Sequence, residues 1–204
     1  MMRQTLAALV GAATLSACSI LPDPKPAPII YRLSVDGTSV DARPDATVVR
    51  IDRPGGSTVF NTVNILVTPD GRRMSQASAS RWSEQIPLLV QETLVDALSR
   101  SAGLVGVLPS SGARTDTRVH ITIKNFEAQF DRGAGQAPLA NVRFTATLAN
   151  ASDRTLIDTF TTAKQVRADA INVSEIVEAM EQANSEAMMD IVAWLEGQSA
   201  RGAI

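Results

Sequence analysis

Leu139-Ala140-Asn141-Val142-Arg143-Phe144-Thr145-Ala146-Thr147-Leu148-Ala149 alternates apolar and polar side chains without a break. Val142, Phe144, Ala146 and Leu148 fall on one side and Asn141, Arg143, Thr145 and Thr147 on the other, which is the two-residue period of a strand with one buried face. The flanks repeat the pattern. Residues 118–130 place Val119, Ile121 and Ile123 together; the phase then slips, so that Phe126 and Phe130 read onto the opposite face and predict a bulge or an edge. Residues 155–166 return with Leu156 and Phe160 inward. Turn signals, Asp131-Arg132-Gly133-Ala134-Gly135 and Asn150-Ala151-Ser152-Asp153, separate the three. The pattern predicts an antiparallel meander with one polar face and one face that needs cover.

Two amphipathic segments supply the cover. Residues 83–101 carry Ile86, Leu89, Val90, Leu94, Ala97 and Leu98 at helical spacing, with Pro87 confined to the first turn, Ser83 or Gln85 as cap and Gly103 as stop signal. Residues 173–197 carry Ile176, Met180, Ala183, Ala187, Ile191 and Trp194 or Leu195, and Asn172 with Glu175 has capping-box spacing. Ahead of the first helix, Ile29, Tyr31, Leu33 and Val35 alternate, 47–51 and 63–67 are short apolar runs, and 72–80 reads as a return across Pro69-Asp70-Gly71; residues 105–108 make one more short strand. The expected fold is α+β: a mostly antiparallel sheet with two amphipathic helices packed on one face.

The N-terminal region has a different logic. Arg3 precedes a greasy run, Leu6 to Leu15, of about ten residues, half of what a membrane span needs. Leu15-Ser16-Ala17-Cys18 closes it and is similar to a bacterial lipobox, so that Cys18 is the expected lipidation site and residues 1–17 the signal peptide. Two or three acyl chains there would give a stable membrane anchor, and Ser19 leans toward the outer membrane. Residues 18–28 form a tether: prolines at 22, 24, 26 and 28 favour polyproline II, with a reach of roughly 30 Å at about 3.1 Å per residue. Residues 29–204 make one periplasm-facing domain. Loss of Arg3 with the signal leaves one fewer than the 19 basic residues against 21 acidic ones. That weak net charge argues against nucleic acid as a partner and against broad adhesion to anionic lipid. With no second cysteine, packing alone holds the fold in an oxidising compartment.

The motifs of chemistry are missing. His120 is the one histidine and reads onto the polar side of its strand; no zinc set, Gly-x-Ser-x-Gly elbow, Ser-x-x-Lys or phosphate loop accompanies it. Glu175, Glu178 and Glu181 read as a solvated helix face, and Met188 and Met189 as core filler. No cofactor is expected and the chain reads as a non-enzyme.

Four features remain: the lipobox with its Pro-rich tether and Tyr31-Arg32-Leu33-Ser34; Arg81-Trp82-Ser83-Glu84 before a helix closing in Ala97-Leu98-Ser99-Arg100-Ser101; Asn125-Phe126-Glu127-Ala128 leading into a Gly-containing hairpin; and Ile191-Val192-Ala193-Trp194-Leu195 near the end. Together, in this order, they resemble the ABC-type transport auxiliary lipoproteins, the PqiC-like group. The segment 56–79 departs from the pattern. The resemblance implies a lipid-anchored partner of an ABC transporter with an MCE-domain protein, moving phospholipid or other hydrophobic molecules between membranes by docking or cargo hand-over. Arg143 on the polar sheet face, and Arg81 and Trp82, are possible partner contacts, with copies of the chain itself as another occupant. The structural reading is the favoured one for these two: Trp82 fills a core edge at a strand-to-helix junction and Arg81 pairs with an acid. A subunit of an outer-membrane assembly machine and a lipid-anchored hydrolase built around His120 are the alternatives.

Overall fold

The computed structural model describes residues 27–35 and 37–204; the signal peptide, Cys18 and the tether through residue 26 lie outside the described residues. The elements run β1 (Ile29–Tyr31), β2 (Thr47–Ile51), β3 (Gly55–Gly56), β4 (Asn64–Thr68), β5 (Ser75–Trp82), α1 (Ile86–Leu98), β6 (Leu104–Val107), β7 (Thr117–Gln129), β8 (Leu139–Asn150), β9 (Leu156–Arg167) and α2 (Val173–Ala200).

β7 organises the sheet. Along one side it pairs antiparallel with β8 over its whole length, from Thr117 opposite Asn150 to Gln129 opposite Leu139, and β9 continues antiparallel beyond β8. Along the other side it takes three short parallel strands in succession: β2 at Val49 and Thr117, β3 at Gly55 and Thr122, β4 at Val67 and Ala128. β6 adds parallel to β2, β5 adds antiparallel to β4, and β1 adds parallel to β5. The sheet is therefore mixed: the long pairings are the antiparallel ones that the alternation implies, and most of the short N-terminal pairings are parallel. Strand patterning specifies which face is buried and leaves the direction of the neighbour open.

The phase slip in β7 is a bulge, with the register shifting between Ile123 and Asn125. Its effect corrects the expectation for Phe126. The extra residue, Lys124, restores the period, so Phe126 returns to the face of Ile123, is fully buried, and stacks on Phe144 with ring centroids 6.3 Å apart. Trp82 meets Phe126 edge-on at 6.1 Å.

Both helices cover this one face. Val142, Phe144, Ala146 and Leu148 of β8 are fully buried, as are Met180, Ala183, Ala187 and Ile191 of α2 and Ile86, Val90 and Leu94 of α1. Burying a side chain of this size contributes about 1.5–3 kcal/mol each, which offsets the entropy of ordering the strands. Pro87 does lie in the first turn of α1; Gln85 is the cap residue but makes no side-chain capping bond. Gly103 is not the stop: α1 closes at Leu98, and Gly103 instead accepts the N–H of Thr47 through its carbonyl at the entry to β6. The cap of α2 is as its sequence implies, with the Asn172 side chain accepting from the Glu175 N–H at 3.1 Å.

Polar clamps fasten α2 to β9. Thr162 donates to Asp190 at 2.6 Å, and Lys164 pairs with the same carboxylate at 2.9 Å. Trp194 is half-buried; its ring stacks on Phe160 at 5.6 Å and its Nε1–H donates to Asp158 at 3.0 Å.

Candidate functional site

The helices leave the opposite face of the sheet uncovered. On β7 the outward side chains are Arg118, His120, Thr122, Lys124, Asn125, Glu127 and Gln129, and the register sets Thr147 beside His120, Thr145 beside Thr122 and Arg143 beside Asn125. β9 extends the surface with Thr159 opposite Thr147 and Thr161 opposite Thr145; the Thr145 and Thr161 hydroxyls are 3.1 Å apart. β-Branched residues suit an exposed strand face because they fill the pleat with little loss of rotamer freedom.

The charges on this face fall into three groups. Arg50 and Arg118 share one carboxylate: Asp52 accepts from Arg50 Nε at 3.2 Å and from Arg118 Nε at 2.5 Å, and Arg118 adds a second, ion-pair contact. Lys124 is exposed because the bulge turns an extra residue outward, and it lies next to exposed Arg143. Neither Lys124 nor Arg143 forms an ion pair among the described residues. Glu127, by contrast, is 97% buried among amides, its Oε1 accepting from Asn125 at 3.0 Å, Gln129 at 2.8 Å and Asn141 at 3.4 Å.

Of the residues that sequence singles out, Arg143 and Arg81 come onto this one face from different strands. Arg81 is exposed on β5, and its neighbour Trp82 points the other way into the core with no exposed surface, where it fills the junction between β5 and α1. Trp82 is thus a packing residue in this chain. The Arg50–Asp52–Arg118 group and Lys124 escaped the sequence reading. The phase slip was the available signal for Lys124, since a bulge re-aims a side chain. Arg50 and Arg118 meet only because β2 lies parallel to β7, with Arg50 opposite Arg118.

His120 is half-buried beside Gly55 and hydrogen-bonds to no serine or carboxylate among the described residues; Asp52, just past the end of the neighbouring β2, is held by its two arginines. No group of three His, Cys, Asp or Glu side chains that could hold a metal exists among the described residues, and no described helix is long and apolar enough to cross a membrane. Two depressions lie off the outward face of β7 to β9. One of about 460 Å³ lies where the C-terminal ends of α1 and α2 approach β6, between Arg43, Gly103, Leu104 and Glu196. Another of about 410 Å³ lies beside β4, between Val59, Leu66 and Met74.

Comparison with known proteins places the chain. The family model of the ABC-type transport auxiliary lipoprotein component matches residues 4–192. The chain belongs to that family. The match runs straight through residues 56–79, the stretch whose sequence departs from the pattern, and these fold as β4, β5 and their hairpin. Solved structures share the fold of this auxiliary lipoprotein: XCC0632 from Xanthomonas campestris, a DUF330 protein, has 19% identity and a TM-score of 0.74 over 85% of this chain and 98% of its own. An uncharacterized protein has 13% identity and a TM-score of 0.66 over 83% and 99%. CT253 from Chlamydia trachomatis has 11% identity and a TM-score of 0.50 over 74% and 96%. At such identities the likeness speaks for the fold alone. No curated protein matches the chain.

Proposed function

We propose that this auxiliary lipoprotein is acylated at Cys18, faces the periplasm from the outer membrane, and serves an ABC transport system by docking its MCE-domain protein. The observation that carries the reading is the family match together with the string Leu15-Ser16-Ala17-Cys18 at the end of a short apolar segment. Mature acyl chains at Cys18 hold the domain to one membrane, and the proline-rich tether lets it reach an assembly that spans toward the other. The cargo of such a system is phospholipid or another hydrophobic molecule. The accessory acts on it through the partner: its own contribution is the uncovered sheet face bearing Arg143, with Arg81 at the margin, and not a reaction. Copies of the chain arranged around the partner are compatible with the same role.

The test has two arms. Cys18→Ser should abolish incorporation of radiolabelled acyl chains and leave uncut precursor; normal acylation of that variant rules out the anchor. Periplasmic crosslinking of the native protein followed by mass spectrometry should return an MCE-domain protein. Capture of a barrel protein in its place moves the assembly-machine alternative ahead.

A further inference from the structure

The charge of this molecule is nearly balanced, with 19 basic and 21 acidic residues, yet it is sorted by layer. α2 carries Glu175, Glu178, Glu181, Glu186, Asp190 and Glu196 and α1 carries Glu92 and Asp96; neither helix contains a single Lys or Arg. The outward sheet face has the opposite sign. Arg50, Arg81, Arg118, Lys124 and Arg143 lie on it, against two carboxylates, Asp52, held by its arginine pair, and Glu127, which is buried with Oε1 in its amide cage and Oε2 without a partner among the described residues. The net figure of the sequence conceals a cationic face and an anionic one on opposite sides of one sheet.

From this segregation we infer that the outward face of β7 and β8 binds an acidic protein surface, with Lys124 and Arg143 at its centre; the inference rests on the docking role proposed above and names the chemistry of the partner. Three observations select that occupant. Among the described residues the two central cations have no ion-pair partner, so docking forms ion pairs without breaking any of those described. Threonines 122, 145 and 147 around them donate and accept hydrogen bonds with little side-chain entropy to lose. Neither of the two depressions described above is lined by Lys124, Arg143 or these threonines, and a small anion or a single lipid headgroup needs a concave site whereas an extended surface needs none. The helix layer, lacking any basic residue, is repelled by the same partner, so the encounter has a fixed orientation.

The experiment places a photocrosslinking side chain at Thr145 on the cationic face, or at Gln182 on the exposed side of α2, in the full-length protein in its native envelope. The inference expects an adduct from Thr145, mapped by mass spectrometry to an acidic segment of a periplasmic domain. Arg143→Glu with Lys124→Glu should lower its yield at least tenfold, and added salt should do so progressively, because steering raises association rates by about 10- to 1,000-fold and is screened. The melting temperature of the double variant should stay unchanged. Adducts only from Gln182, an adduct mapped to the acidic helices of a second copy, or a Thr145 adduct indifferent to charge reversal each overturn the inference. The accessory role is judged separately. An MCE-domain protein captured through Gln182 alone keeps that role and removes this surface; an acidic segment of an unrelated protein at Thr145 keeps the surface and removes that role.

Discussion

Replacing Trp194 by Ala probes how α2 is held to the edge of the sheet. A fully buried Trp costs about 3–5 kcal/mol on truncation to Ala. This ring is only half-buried, so about half of that is at stake, and the stacked pair with Phe160 at 5.6 Å and 14° adds about 0.5–1.5 kcal/mol. The expected loss is about 2–4 kcal/mol, below the full cost of a wholly buried Trp. Urea denaturation followed by far-ultraviolet circular dichroism measures it as a fall in midpoint at constant slope. A companion cycle with Phe160→Ala isolates the stacking: the two changes should be less than additive by about 1 kcal/mol. A loss under about 1 kcal/mol for Trp194→Ala, or strict additivity in the cycle, refutes the clamp and frees the ring for another role.

Acid should weaken the fold in a defined window. Asp158 is held below the ordinary carboxylate range chiefly by the Trp194 Nε1–H, Asp131 by its hydrogen bond from Arg167, and Asp70 is lowered to about 2, chiefly by the backbone N–H of Arg73. Each folded-state value lies below the unfolded one near 3.8, so their stabilisation is fully present above about pH 4 and is lost as pH falls through the folded values toward about 2. Melting temperatures that rise with acidification below pH 4 contradict this. Gly56 has φ +141 and a side chain there would meet the Ile123 carbonyl at 2.5 Å, so Gly56→Ala should cost about 2 kcal/mol or more by the same denaturation assay, through loss of the β3 pairing.

The sequence exposes faces better than neighbours. The alternation of residues 139–149 fixes which side of β8 is buried, because a period of two admits no other reading once Arg143 must stay wet. The stripe of α2 likewise picks out Ile176, Met180, Ala187 and Ile191. It fails at Asn184, which is wholly buried with no hydrogen-bond partner for either amide atom among the described residues, since a polar residue within an apolar stripe reads as exposed until the packing of α1 against α2 is known. Parallel pairing of β2, β3 and β4 with β7 is non-local and leaves no trace in any one segment. The charge sorting between layers was hidden for the same reason. Lys124 and Arg143 are 19 positions apart and become adjacent only through the bulge and the β7–β8 register.

The placement of β7 also sets an order of assembly. β2, β3 and β4 all rest on residues 117–129, their paired positions lying 61 to 68 residues further along the chain. As a growing or emerging chain, the N-terminal third can close its β4–β5 hairpin, but β2, β3 and β4 have no common strand to rest on until β7 arrives, and closing loops of that length is entropically uphill before any contact repays it. The C-terminal meander and α2 are local and can form first. The N-terminal half of the described domain is then the last to fold, and its strands must be shielded from stray pairing in the interval.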